Sequence, residues 1–178
     1  MLKNLTALVI LLAAAVMVTG QETPKAELFG GYSWAGGNFH GWNASVTGNV
    51  NEWFGVTADF SGHYGGERAG AFEERQRAHS FLFGPRFALR SNKKLKPFVY
   101  ALFGGVNFSV TLNASGRRLG SASDTGFNMA LGGGLDIKIS ERLAVRAFQL
   151  DYFRPRLFDE SHNRGRLAFG LVLRLGKK

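Results

Sequence analysis

Cysteine is absent from the 178 residues. No disulfide can staple the fold, and thiol catalysis, a lipobox and cysteine–zinc sites are all excluded. Acidic charge is in short supply: 13 Asp and Glu face 22 Lys and Arg, giving a net charge of +9. Such a balance raises nucleic acid as a partner. Yet the basic residues are scattered along the chain with no dense run, which suits anionic lipid headgroups better. Beyond Gly20 no apolar run is long enough for a membrane helix. Proline is scarce, at 4 residues, while glycine (24) and phenylalanine (16) are plentiful. Abundant glycine and aromatic residues favour a tightly curved sheet over a helical bundle.

The first twenty residues are of a different kind. Lys3 supplies a positive start, and Leu5 to Val18 is an almost unbroken apolar run that is short for a spanning helix. Val18-Thr19-Gly20 then offers modest residues before Gln21. This is the layout of a cleavable secretory signal peptide over 1–20, with the mature domain at 21–178. Export makes nucleic acid an improbable partner.

From Ala26 onward the pattern has period two. In Gly41 to Val50, Trp42, Ala44, Val46, Gly48 and Val50 alternate with Asn43, Ser45, Thr47 and Asn49. The same holds for Trp53 to Tyr64, His79 to Arg90 and Gly165 to Leu175. Ala26 to Trp34, Pro97 to Ser109, Thr125 to Lys138 and Leu143 to Phe153 complete eight strands. Many reach ~10 residues, enough to cross a bilayer at a tilt. Pro85 falls mid-strand and donates no ladder hydrogen bond, which predicts a bulge or local break. In strand seven the outward phase set by Val145 and Ala147 conflicts with that of Leu150 and Tyr152. This predicts a bulge near Ala147 to Gln149, or Phe148 and Leu150 turned inward.

Connections alternate in length. Asn51-Glu52, Ser91 to Lys96 and Ile139 to Arg142 are short. Gly65 to Ala78, Val110 to Asp124 and Arg154 to Arg164 read as long polar loops, and Ala35 to His40 is intermediate. An up-and-down order then gathers Trp34, Trp42, Tyr64, Phe81, Phe108 and Phe127 near one rim. Trp53, Phe54, Phe98 and Tyr100 gather near the other, as two interfacial girdles. A soluble barrel of the lipocalin type would alternate too, with its apolar face inside. Loop alternation, the two aromatic levels and the shortage of charge on the polar face favour the membrane.

These segments resemble the bacterial outer-membrane β-barrel family, the small OmpA-type barrels. The resemblance is carried by Pro97 to Gly105, Leu131 to Asp136, Leu143 to Arg146, Gln149 to Tyr152 and the closing strand Arg166 to Gly176. One departure is the ending Leu175-Gly176-Lys177-Lys178, without the terminal aromatic residue common in the family. The resemblance implies an all-β, eight-stranded antiparallel up-and-down transmembrane barrel in the cell outer membrane, both termini periplasmic. It implies insertion by the barrel assembly machinery and contact with outer-membrane lipids and lipopolysaccharide. A monomer without cofactor or metal is expected, and no periplasmic domain after the last strand.

An eight-stranded barrel has an interior that side chains fill. The inward phase carries Asp59, Arg86, Asp136, Arg146, Arg166 and Arg174, with Arg90, Lys138, Glu27 and Asp151. Asp136 and Arg146 are equidistant from the turn at Glu141, which predicts an ion pair. Asp59 and Arg86 are expected as diagonal neighbours. Such a network reads as a plug that satisfies buried charge; the alternative is a narrow ion or solute pore. Arg75, Arg77, Arg117, Arg118, Arg154 and Arg156 in the long connections are candidates for lipopolysaccharide phosphates, which guanidinium groups bind bidentately. Ser161-His162-Asn163 beside Glu160 raises a lipid-modifying enzyme, but Ser directly preceding His in a loop is poor geometry for a nucleophile and its base. His63 and His79 flank one long connection and make a weak metal signal. The expected role is therefore structural or surface-interacting, and non-enzymatic.

Overall fold

The computed structural model describes residues 23–176, apart from 91, 116, 158, 159 and 162. The expected signal peptide lies outside these residues. The regular elements of the described residues are all strands: β1 (Ala26–Trp34), β2 (His40–Asn49), β3 (Phe54–Ala69), β4 (Phe72–Ala88), β5 (Leu95–Ala114), β6 (Arg117–Lys138), β7 (Leu143–Phe153), β8 (Arg156–Leu157), β9 (Glu160–Ser161) and β10 (Arg164–Leu175). Eight of them close a ring in the order β1-β2-β3-β4-β5-β6-β7-β10, each antiparallel to its neighbours. The seam is a full ladder from Ala26↔Leu175 to Trp34↔Leu167. β8 and β9 form a separate two-stranded ribbon. Closure leaves no sheet edge within the ring, which lets a cysteine-free sheet satisfy its backbone in lipid.

The ring is apolar outside and polar inside. On β2, Asn43, Ser45, Thr47 and Asn49 are buried, while Trp42 and Val46 are exposed. Phe60, Phe83, Val99, Phe103, Leu131, Leu150, Leu171 and Leu173 are all exposed from six further strands. A soluble protein does not leave so continuous an apolar band in water. This orientation rules out the lipocalin-like reading, which needs the apolar residues inside.

The three short turns share one device. Asn51 Oδ1 accepts from the Trp53 and Phe54 amides at 3.0 and 2.7 Å. Asn92 Oδ1 accepts from Lys94 and Leu95 at 2.8 and 3.1 Å. Ser140 Oγ accepts from Arg142 and Leu143 at 3.3 and 3.1 Å. A side-chain oxygen three residues before the strand thus stands in for a backbone partner and restarts the chain.

The other end corrects the sequence reading. Gly65 to Ala78 and Val110 to Asp124 are not loops. β3 pairs with β4 without interruption up to Ala69↔Phe72, and β5 pairs with β6 up to Ala114↔Arg117, with one register shift between Leu112 and Asn113. Gly70 turns the first hairpin at φ 60° and Ser115 the second at φ 50°. β5 and β6 run 20 and 22 residues, about ten more than a crossing needs, so the sheet projects roughly 30 Å past the rim. The reason is physical: above the bilayer both faces are wet, so apolar–polar alternation fades while the ladder continues.

Two irregularities fall where expected. Pro85 keeps its register with β3 at Val56, while the ladder to β5 lapses between Phe83↔Phe103 and Arg86↔Tyr100. This is a local break without a shift. In β7 the register slips against both neighbours, between Leu135 and Asp136 on β6 and between Ala168 and Gly170 on β10. Ala147 and Phe148 both face outward there, and the phase conflict is resolved by a bulge.

Candidate functional site: the barrel interior and the projecting sheet

Inward phase brings the buried ionic groups together in two clusters. Near the short-turn end, Asp136 on β6 faces Arg146 on β7. Arg146 Nε donates to Asp136 Oδ1 at 2.8 Å and Nη2 donates to Oδ2 at 3.1 Å. Arg86 bridges Asp136 Oδ2 (2.9 Å) and Glu27 Oε2 (2.7 Å). Arg90 joins Glu27 Oε1 at 3.1 Å and Asn49 Oδ1 at 3.0 Å. In the second cluster Arg166, wholly buried, holds Asp151 through Nε at 2.6 Å and Asp59 through Nη1 at 3.0 Å. The Tyr100 hydroxyl donates to Asp151.

Gln149 connects the clusters. Its Oε1 accepts from Arg146 at 2.5 Å, and its Nε2 donates to Asp151 Oδ2 at 3.0 Å and Asn43 Oδ1 at 3.2 Å. Asn43 in turn donates to Asp59 Oδ2 at 2.9 Å. Contacts therefore run from Glu27 to Asp59 through seven side chains of six strands. Charged groups in low dielectric are tolerable only when paired in this way.

Two expectations fail here. Asp59 and Arg86 are not diagonal neighbours: Asp59 lies opposite Leu82, and Arg86 lies opposite Gly55 four residues along. They belong to different clusters. Counting from the turn placed both inward but could not set which longer-range partner each guanidinium would reach. Phe98 and Tyr100 are not girdle residues; both are buried in the lumen. The glycine run explains why. Phe98 faces Gly134 and Tyr100 faces Gly132 across β5 and β6. A Cβ on Gly134 would lie 2.8 Å from the Phe98 ring, so the bare backbone makes room for it.

The aromatic rings then serve the charges. The guanidinium of Arg86 lies 4.1 Å from the Phe98 centroid, and that of Arg146 lies 4.1 Å from Phe29 and 4.4 Å from Phe98. Arg166 lies 4.6 Å from Phe153. These faces cover the cations where carboxylates do not reach. Phase alone marks Phe29 and Gln149, each two residues from a recognised inward charge, Glu27 and Asp151. Phe98 and Tyr100 have no such neighbour, and only the glycines opposite them on β6 mark them.

The remaining girdle residues divide by face. Trp34, Trp42, Tyr64, Phe81 and Phe127 are exposed. Phe108 instead turns to the mouth side and packs against Phe39 at 6.4 Å. At the short-turn rim Trp53 stacks on Phe87 at 5.9 Å. His63 and His79 point to opposite faces of the wall. His63 Nε2 lies 2.8 Å from Ser33 Oγ inside, and His79 meets Tyr64 outside. Among the described residues no cluster of three or more His, Cys, Asp or Glu could hold a metal.

Directly above the outward aromatic residues the same face of the wall becomes polar. Arg77 pairs with Ser109 and Arg75 with Thr111. Ser109 continues to Ser123, Thr111 to Ser121, and Asn113 to Arg118. Arg75, Arg77, Arg118 and these hydroxyl residues line one open concavity. Its arginines are not equally committed. Glu73 accepts from Arg68 and Arg75 at 3.1 Å each, and the Arg75 hydrogen bond with both positive charges holds its carboxyl below the ordinary value of 4.5. Arg118 bonds Ser121. Arg117 and Arg154 are exposed but do not line this concavity. The Arg156 side chain and the Ser161-His162 pair lie outside the described side chains.

Comparison with known proteins fits this architecture. The family model described as outer membrane protein beta-barrel domain matches residues 5–171. The attachment invasion locus protein Ail of Yersinia pestis superposes with a TM-score of 0.65 at 21% identity, covering 86% of this chain and 99% of that one. Neisserial surface protein A gives 0.61 at 10% identity over 84% and 96%. The N-terminal β-barrel domain of Pseudomonas aeruginosa OprF gives 0.52 at 12% identity over 86% and 98%. Ail has also been solved with the heparin analogue sucrose octasulfate, with a TM-score of 0.64 at 20% identity over 86% and 99%. No curated protein sequence matches the chain.

Proposed function

The chain belongs to the outer membrane protein beta-barrel domain family, and from that premise we propose that it is a sealed outer-membrane scaffold whose projecting sheet meets phosphate-bearing glycan. On this reading residues 1–20 direct export and are removed. The assembly machinery inserts the remainder as a monomer, with both termini and the short turns in the periplasm. The buried ion network is a plug, so the barrel carries no solute, and its role is structural and surface-interacting.

One observation carries the binding role. The Arg75–Arg77–Arg118 concavity continues the lipid-facing wall beyond its aromatic girdle, and on this reading it meets the phosphates of lipopolysaccharide. Arginine forks suit such groups, and the flanking Ser and Thr rows add hydroxyl partners. That the similar barrel Ail accepts a polysulfated sugar is in keeping with this chemistry.

The test is lipopolysaccharide binding by the folded barrel in nanodiscs, with intact and dephosphorylated lipid. Arg77→Gln with Arg118→Gln should weaken binding to intact lipid at least about tenfold, given two charge-assisted contacts, and should leave the dephosphorylated control unchanged. Equal affinity of variant and parent for intact lipid would contradict the assignment.

A further inference from the structure

The interior is not electrically even. In the cluster around Asp59 and Asp151 the carboxylates outnumber their one arginine, Arg166. Near the short turns the reverse holds. Among the described residues, Arg86, Arg90, Lys96, Arg146 and Arg174 are all buried, and the buried carboxylates among them are Glu27 and Asp136. Arginine does not shed its proton to relieve the excess.

The donors there are also incompletely used. Arg86 commits both terminal nitrogens, to Glu27 and Asp136, and its Nε has no partner. Arg90 commits Nη1 to the Glu52 carbonyl and Nη2 to Glu27 and Asn49, and again Nε has none. Arg174 on β10 forms no ion pair among the described residues, and its buried Nε is likewise unpartnered. Arg86, Arg90, Lys96 and Arg174 line a common cavity with Glu27 and Asp136. Its volume is ≈ 10 Å³, the lower limit for a single water, so a monatomic ion is the largest occupant that small side-chain shifts could admit.

We propose that this cavity binds a single small monatomic anion of the chloride class, held by the Arg86, Arg90 and Arg174 guanidiniums with Lys96. A water would satisfy one or two donors but leave the excess charge unneutralised in a poorly solvated site. Phosphate, sulfate and lipid headgroups exceed the enclosed space. The mouth cavity under Arg166 and Asn128 has orphaned polar atoms too. There carboxylates are already in excess, so water suffices and no anion is drawn.

The experiment follows heat-induced unfolding of the mature barrel in non-ionic detergent as sodium gluconate is replaced by sodium chloride at constant ionic strength. The midpoint should rise by a few degrees and saturate, with bromide able to replace chloride. Arg174→Gln should fold and lose most of that chloride-specific increment. A bromide-soaked crystal of the parent should show an anomalous peak in the cavity, which keeps the proposal testable if the variant does not fold. A midpoint that ignores the identity of the anion would mean general screening and overturn it. So would the full increment surviving in Arg174→Gln, or bromide absent from the cavity.

Discussion

Asp136 is the residue on which the short-turn cluster turns, because it alone accepts from both Arg86 and Arg146. Asp136→Ala would leave two buried guanidiniums short of a counter-charge and should destabilise the barrel by about 3–5 kcal/mol, read from urea unfolding in detergent. Lys138→Ala, which removes a partly exposed pair with Glu141, should cost less than about 1 kcal/mol. Equal effects would mean that the interior is hydrated enough to behave as surface. Gly134→Ala tests the packing beneath these charges. The added methyl would meet the Phe98 ring and the Phe148 carbonyl, and overpacking of this kind costs about 1–3 kcal/mol. Full stability in that variant would show that Phe98 can leave the lumen without loss.

At the scale of elements, the projecting hairpins should behave as a unit apart from the ring. Replacing residues 66–73 and 111–120 by short turns removes sheet that no lipid supports and little of the buried network. The shortened protein should still resist unfolding by detergent until boiled, while its lipopolysaccharide binding falls to background. Loss of the heat-dependent gel shift would show instead that the hairpins stabilise closure. The hairpins also mark what the sequence could and could not disclose. Strands within the bilayer were legible because one face meets hydrocarbon and the other a polar lumen, so Trp42 to Val50 and Leu167 to Leu175 alternate without error. Where both faces meet water, as from Gly65 to Ala78, that contrast vanishes and pairing is set by the partner strand alone. The Asp136–Arg146 contact was legible because a short turn fixes its register. Arg86 with Glu27 was not, since those residues lie on strands that are not neighbours in the ring. Phe98 and Tyr100 were misplaced because aromatic residues suit lipid in general. Only the glycines facing them on β6 say that these two turn inward.

For the molecule as a whole, a continuous polar interior invites the idea of a pore. Contacts linking Glu27, Arg86, Asp136, Arg146, Gln149, Asp151, Arg166 and Asp59 across the lumen oppose it, because an ion would have to break several charge-assisted bonds to pass. Planar bilayers holding the protein should show no steady conductance, and Asp136→Ala should introduce brief openings at most. Stable conductance in the parent would replace the plug with a channel. The absence of cysteine allows the central claim, a sealed barrel with its long hairpins outside the cell, to be tested in one measurement. Single cysteines placed at Ser121 on the projecting face, Phe83 on the lipid face, Gln149 in the lumen and Glu52 in a short turn would be exposed in intact cells to a membrane-impermeant maleimide. Labelling is expected at position 121 alone, with position 52 labelled only after the outer membrane is opened. Labelling at 52 but not 121 in intact cells would invert the topology, and labelling at 149 would unseal the lumen.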